Sequence, residues 1–322
     1  MRDRLERHQS WIYLTAILLG LGLGLIWPAA GGALEPLLWP LLGALLYATF
    51  TQIPLTQLSA GARDWRFLVA LLGGNFLAIP LFVAGAAQLP LDTAVLVGML
   101  LVLLVPCTDW FISFTHLGRG DAARAIAATP LLLLGQLLTL PLYLWLLLGG
   151  DVLEATVGTH LLTAFAVLIL LPLALAWFTR RQAVSSSTAR VLVHRLGGLP
   201  VPLLALVVFG IAVSQVNTVT AMPAVLVQVL LVFLAFLVFA ALLGKLLGRL
   251  FRLDAPRART LTFSFGTRNS FVVLPVALSL PEPWQAAVVV IVFQSLVELF
   301  GMVGYLRWVP RLLIPDREQQ SA

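Results

Sequence analysis

The placement of charge constrains this chain more than any other feature. Apolar runs occupy residues 11–28, 36–53, 66–88, 92–116, 122–149, 157–179, 198–216, 222–248, 259–281 and 284–308. Each is long enough to cross a bilayer as a helix. Of the 20 basic residues, all but Arg268 lie near the chain ends or in every second connection. The N-terminus has Arg2, Arg4 and Arg7, and the C-terminal end has Arg307, Arg311 and Arg317. Between them come Arg63 and Arg66, then Arg119 and Arg124, then Arg180, Arg181, Arg190 and Arg195, then Lys245, Arg249, Arg252, Arg257 and Arg259. The alternate connections carry Glu35, Asp92, Asp151, Glu154 and Glu282 instead. Basic loops are retained on the cytoplasmic side. The pattern therefore predicts an all-α integral protein of the cell membrane, with ten transmembrane helices and both termini in the cytoplasm.

Composition points the same way. Only 11% of the residues are charged and 60% are hydrophobic, whereas a soluble domain carries about 25% charged residues. The formal charge of +6 is topological, which excludes a nucleic-acid reading and fits attraction to anionic lipid in the bilayer. Trp11, Trp27, Trp65, Trp145, Trp177, Trp284 and Trp308 fall near the ends of runs, where an amphipathic ring suits the interface. Trp110 lies deep in the fourth run. The single cysteine, Cys107, excludes an internal disulfide. No phosphate-binding glycine loop, HExxH or CxxC pattern is present, and the four histidines are scattered. The sequence thus calls for no metal, no cofactor and no enzymatic centre.

The first five runs cover 11–149 and the second five 157–309. Because five is odd, the second set enters the membrane from the opposite face, giving an inverted five-plus-five repeat. The longest polar stretch, "TRRQAVSSSTARVLVHRLGG", reads as a cytoplasmic linker within the second set. The fourth run is interrupted at "VPCTDWF" and the ninth at "GTRNSFVVLP". Breaks at matching positions of two halves mark a transporter binding site. Unwound backbone in the membrane must face protein or a water-filled cavity.

Three ionisable groups remain inside the runs: Asp109, Arg268 and Glu298. Each costs roughly 2.5–3.5 kcal/mol to insert and is usually paired. Asp109 and Arg268 lie one in each break, so crossing breaks would bring them together. That pair is either a structural pin or part of a substrate or proton site. Cys107 and Thr108 share the first break; a thiol there is a soft ligand or a small apolar filler. Asn269 and Ser270 follow Arg268 in the second break. Asn75, Gln136 and Gln294 sit mid-run, and Glu298 one helix beyond the second break. Singly these join helices by hydrogen bonds; together they form a candidate coupling or substrate site. His116 reads as an interfacial residue.

The stretches "LVPCTDWFISFTHLGRGDAARAIAATPLLLLGQ", "TLTFSFGTRNSFVVLPVALSLP" and "VFQSLVELFGMVGYL" resemble the bile acid/arsenite/riboflavin transporter superfamily. Within it, the arsenical-resistance (arsenite efflux) carriers are most similar. The resemblance implies crossed broken helices four and nine. It also implies a core bundle of spans 3–5 and 8–10 that moves against a panel of spans 1, 2, 6 and 7. The arsenite carriers have an important cysteine in span four, which Cys107 matches. Their acidic residue in span nine is replaced here by Val272. The sodium-coupled branch uses an acid and a glutamine at positions that here hold Ser264 and Arg268, and a guanidinium repels a sodium ion at close range. The resemblance thus implies a secondary carrier that expels arsenite in exchange for protons. The alternative is a carrier of a small organic anion, with Arg268 binding its carboxylate.

Overall fold

The computed structural model describes residues 2–53, 64–108, 110–149 and 166–316. Asp109, Arg63, Arg317 and the start of the sixth apolar run lie outside them. In chain order the α-helices are α1 (Arg2–Ile26), α2 (Ala29–Phe50), α3 (Trp65–Gly73), α4 (Ile79–Ala86), α5 (Thr93–Leu103), α6 (Trp110–Leu117), α7 (Ala122–Leu148) and α8 (Leu171–Ala183). They continue with α9 (Ser187–Leu196), α10 (Pro200–Ser214), α11 (Val216–Ala221), α12 (Pro223–Leu250), α13 (Ala255–Gly266), α14 (Ser270–Leu278) and α15 (Ala286–Trp308). Among the described residues there is no strand, only one isolated β-bridge.

Five stretches are long and apolar enough to cross a bilayer unaided: Ala29–Phe50, Trp65–Ala86, Ala122–Leu148, Pro223–Leu250 and Glu282–Leu313. A sixth arises if α9 and α10, bent by 45°, are taken together. This is fewer than the ten runs of the sequence, for physical reasons. The fourth and ninth runs are cut by their breaks into α5 and α6, and into α13 and α14. The apolar part of α1, Trp11–Ile26, is a shorter helix. The polar stretch between α8 and α10 is itself partly helical: Ser186 caps α9 by accepting from Ala189 N.

The helices expose apolar side chains freely, among them Ile26, Leu81, Leu138 and Leu250. In water such a surface would drive association; against lipid it costs nothing. Exposed Trp27, Trp65, Trp145 and Trp308 lie at or near helix ends, exposed Trp11 and Trp177 lie in the middle of α1 and α8, and Trp110 is buried.

Close packing explains which helices pair. α1 lies against α10, and α10 against α2, which also contacts α8. Gly20 and Gly24, one turn apart on α1, permit this. A Cβ at either would sit 2.5 Å from the Phe209 carbonyl oxygen or 2.7 Å from that of Val213. This is the small-residue spacing by which lipid-embedded helices approach. A second group joins α12 to α13 and α15, α5 to α15, and α13 to α3, α6 and α7. At one end of this group Asp64 accepts from Arg124 Nε at 3.1 Å and Arg257 Nη1 at 2.8 Å, tying the starts of α3, α7 and α13. Burial alone would raise the Asp64 carboxyl, but the hydrogen bonds from Arg257 and the Phe67 amide outweigh it and hold it below its ordinary value.

Candidate functional site

The two breaks meet. After α5 the chain bends at Val105 and reaches Pro106, and after α13 it runs extended through Thr267 to Arg268. Cys107 N donates to Thr267 O at 3.2 Å, and Asn269 N to Val105 O at 2.8 Å. This antiparallel rung centres on Pro106 and Arg268. Proline suits the position, because it has no N–H to leave unpaired. Each break thus satisfies the other's backbone in a region that offers no water.

Side chains close both broken helices. Thr267 Oγ1 donates to Phe263 O at 2.8 Å at the end of α13. Asn269 caps α14, its Oδ1 accepting from Val272 N at 3.4 Å. Its Nδ2 reaches across the crossing to Thr108 Oγ1 at 3.1 Å. Cys107 is buried beside this contact.

Arg268 is 1% exposed. Its Nη2 donates to Asn75 Oδ1 at 2.9 Å, Ser264 O at 2.8 Å and Phe265 O at 3.0 Å, and its Nη1 to Leu103 O at 3.3 Å. The guanidinium carbon stands 5.4 Å from the ring centre of Phe236 on α12, within cation–π range. The carbonyls come from the ends of α5 and α13, where helix carbonyls are unpaired and carry partial negative charge. Arg268 therefore acts as a fixed cation against two helix C-termini.

Asn75 is delivered by a π-helical turn, Gly74–Ala78, between α3 and α4. Its Nδ2 donates to Ser264 Oγ at 3.0 Å and Leu71 O at 3.1 Å. Gly74 allows α3 to approach α13: a Cβ there would fall 2.1 Å from the Phe265 ring. On the other side of the break, the Arg268 N–H donates to Glu298 Oε2 at 2.8 Å. The same oxygen accepts from Gln294 Nε2 at 2.9 Å, and Gln294 Oε1 accepts from Ser270 Oγ at 3.2 Å.

One buried polar network therefore joins Asn75, Ser264, Arg268, Glu298, Gln294 and Ser270, with Asn269 and Thr108 beside it. The sequence picked out all of these as candidates except Ser264, which it raised only as the position of the missing acid. Gln136 does not join: it is buried on α7, and both its amide atoms lack a partner among the described residues. His116 is exposed at the end of α6. The Asp109–Arg268 pairing lies outside the described residues. Sequence reasoning missed the Leu103 carbonyl and Phe236, which carry no polar signature. It also counted Arg259 as a loop charge. Arg259 is buried, donating to Ile314 O at 2.9 Å and paired with Asp316 at 2.9 Å.

Beside the crossing, Trp110 stacks on Tyr13 of α1 at 5.7 Å between ring centres and meets Phe271 edge-on at 4.8 Å. With Leu204, Ser270 and Ser295 these rings surround a space of only about 10 Å³, enough for one water molecule. Among the described residues no cluster of side chains could hold a metal ion.

No curated protein matches the sequence. A family model does, over residues 12–298, a range that includes both breaks and ends at Glu298. By that match the chain belongs to the SBF-like CPA transporter family, and it is a secondary transporter rather than an enzyme.

Proposed function

We propose that the chain is a sodium-independent carrier that expels arsenite in exchange for protons. The observation that supports this most is the occupied crossing. Arg268 places a permanent charge against carbonyls of both broken helices, which is the work a coupling cation would otherwise do. A sodium ion there would face a guanidinium at short range in a low-dielectric site. Proton coupling then runs through Glu298, whose carboxylate receives the Arg268 amide and Gln294, or through Asp109 in the other break.

Cys107, at the same crossing, is the arsenite ligand in this reading. Its thiol exchanges with one As–OH of neutral As(OH)3, forming an S–As bond and releasing water. The organic-anion reading has weaker support, because the Arg268 Nη atoms are already engaged by protein acceptors. In the proposed architecture the ten runs form the inverted repeat, with both termini cytoplasmic. The group of α1, α2, α8 and α10 rocks against the rest. The small volume beside Trp110 corresponds to the two groups closed on each other.

The test is arsenite tolerance in a sensitive host, followed by arsenite uptake into everted membrane vesicles. Wild type should confer tolerance and proton-driven uptake. Cys107→Ser should lose both while remaining in the membrane. Full tolerance in Cys107→Ala would leave the thiol a packing residue and favour the organic anion.

A further inference from the structure

At the junction of α12 and α13 the structure has a cavity of about 430 Å³, far larger than the space at the crossing. Lys245 and Arg249, one turn apart near the end of α12, line one side, with Arg252 in the turn that follows. Arg252 adopts a left-handed backbone, φ 53°. Leu253, Leu313, Ile314 and Pro315 supply an apolar opposite wall.

The charge in this cavity is unbalanced. Its one acid, Asp254, already accepts from Arg257 Nε at 2.8 Å and Arg257 N at 3.1 Å. Lys245, Arg249 and Arg252 form no ion pair among the described residues. The far wall is held in place: Arg259 binds the carbonyl of Ile314 and the carboxylate of Asp316. Cations at a helix C-terminus are expected from the helix dipole. That accounts for the charges but not for the groove they line together with Leu313, Ile314 and Pro315.

We propose that this cavity is a binding site for a phosphate-bearing anion, either the headgroup of an anionic phospholipid or free phosphate. Lys245, Arg249 and Arg252 give the site a net positive charge that attracts a phosphate ester, and basic pockets between membrane helices take such headgroups. The apolar wall suits the glycerol backbone of a lipid. The site stands apart from the crossing and does not depend on the substrate proposed above.

The experiment uses the full chain, purified and delipidated in a neutral detergent. Adducts of phosphatidylglycerol and phosphatidylcholine are counted by native mass spectrometry, and melting is followed with and without inorganic phosphate. Phosphatidylglycerol should bind in preference to phosphatidylcholine. Each single change, Lys245→Gln, Arg249→Gln or Arg252→Gln, should weaken that binding about 5-fold, while Arg190→Gln on α9 should not. Phosphate stabilisation lost in the same variants, with no phosphatidylglycerol preference, would assign the site to free phosphate. Equal binding of both lipids with no response to phosphate would overturn the proposal. So would a phosphatidylglycerol preference unchanged in the triple variant. Unchanged melting of the singly substituted proteins without ligand separates a lost site from a lost fold.

Discussion

The backbone N–H of Arg268 and the carboxylate of Glu298 are 2.8 Å apart, in a contact that spans thirty residues of sequence. It ties the unwound part of the second broken helix to α15. The same residue's guanidinium points the other way, into carbonyls of α5 and α13 and onto Asn75. Arg268 is thus the joint at which both breaks, α3 and α15 are fastened.

Removing that joint is expected to be severe. Arg268→Ala strands Asn75 Oδ1 and the carbonyls of Leu103, Ser264 and Phe265 without a donor. Losing one partner of a buried charged network costs about 3–5 kcal/mol. Thermal unfolding in detergent should show a large loss. Combining the change with Glu298→Gln, which removes a negative charge left uncompensated nearby, should recover part of it.

Glu298→Gln alone should keep the hydrogen bonds, because an amide oxygen can accept from Arg268 N and Gln294 Nε2 as the carboxylate does, but it leaves the buried Arg268 guanidinium without that countercharge and should lower the melting temperature. What it cannot do is exchange a proton. Transport by this variant, measured in vesicles with and without a pH gradient, should lose its dependence on that gradient when Glu298 is the coupling group and keep it when Asp109 is.

Gly74→Ala should destabilise the protein by about 1–3 kcal/mol, the usual cost of overfilling a packed core. The new methyl would overlap the Phe265 ring. Phe265→Leu in the same background should relieve much of this, which unfolding measurements on the two variants would reveal.

The breaks were legible in the sequence because polar residues and proline inside apolar runs cannot be hidden. Their meeting was an expectation from two similar breaks in the fourth and ninth apolar runs, and the breaks do pair through Pro106 and Arg268. What joined Arg268 to its surroundings was not. Main-chain carbonyls have no side-chain signature, so Leu103 and Phe265 look like any apolar residues. Phe236 reads as lipid-facing or core equally well. Arg259 was misplaced for a related reason. Beside a loop rich in arginine it looks solvated, and only the return of residues 310–316 over it makes it buried. The helix at Ser187–Leu196 was hidden by its serines and arginines, which resemble a linker. Run length does not show where a helix is interrupted: a break divides a run into pieces too short to pass as single spans.

The Asp64 cluster predicts acid sensitivity at one end of the bundle. The Asp64 carboxyl is lowered from 3.8 in the folded protein. Its contribution to stability is therefore full above 3.8 and disappears as pH falls through the lower folded value. Asp254 behaves likewise: burial would raise its carboxyl, but the bonds from Arg257 outweigh burial and lower it. Arg257→Gln, which removes the shared partner, should reduce stability near neutral pH and flatten the acid limb of the melting profile.

Topology can be checked with reporter tags. Tags beside Ser186 and after Ala322 should be cytoplasmic, and one beside Asp151 external, as the distribution of basic residues requires.

The fixed cation at the crossing is the centre of this account, and sodium binding tests it most directly without reference to substrate. The purified protein is melted in rising sodium chloride against choline chloride at constant ionic strength. A bound ion at about 100 times its dissociation constant would add about 2.7 kcal/mol of stability. With Arg268 in place, the melting temperature should follow the same curve in both salts. A saturable rise specific to sodium would contradict the account.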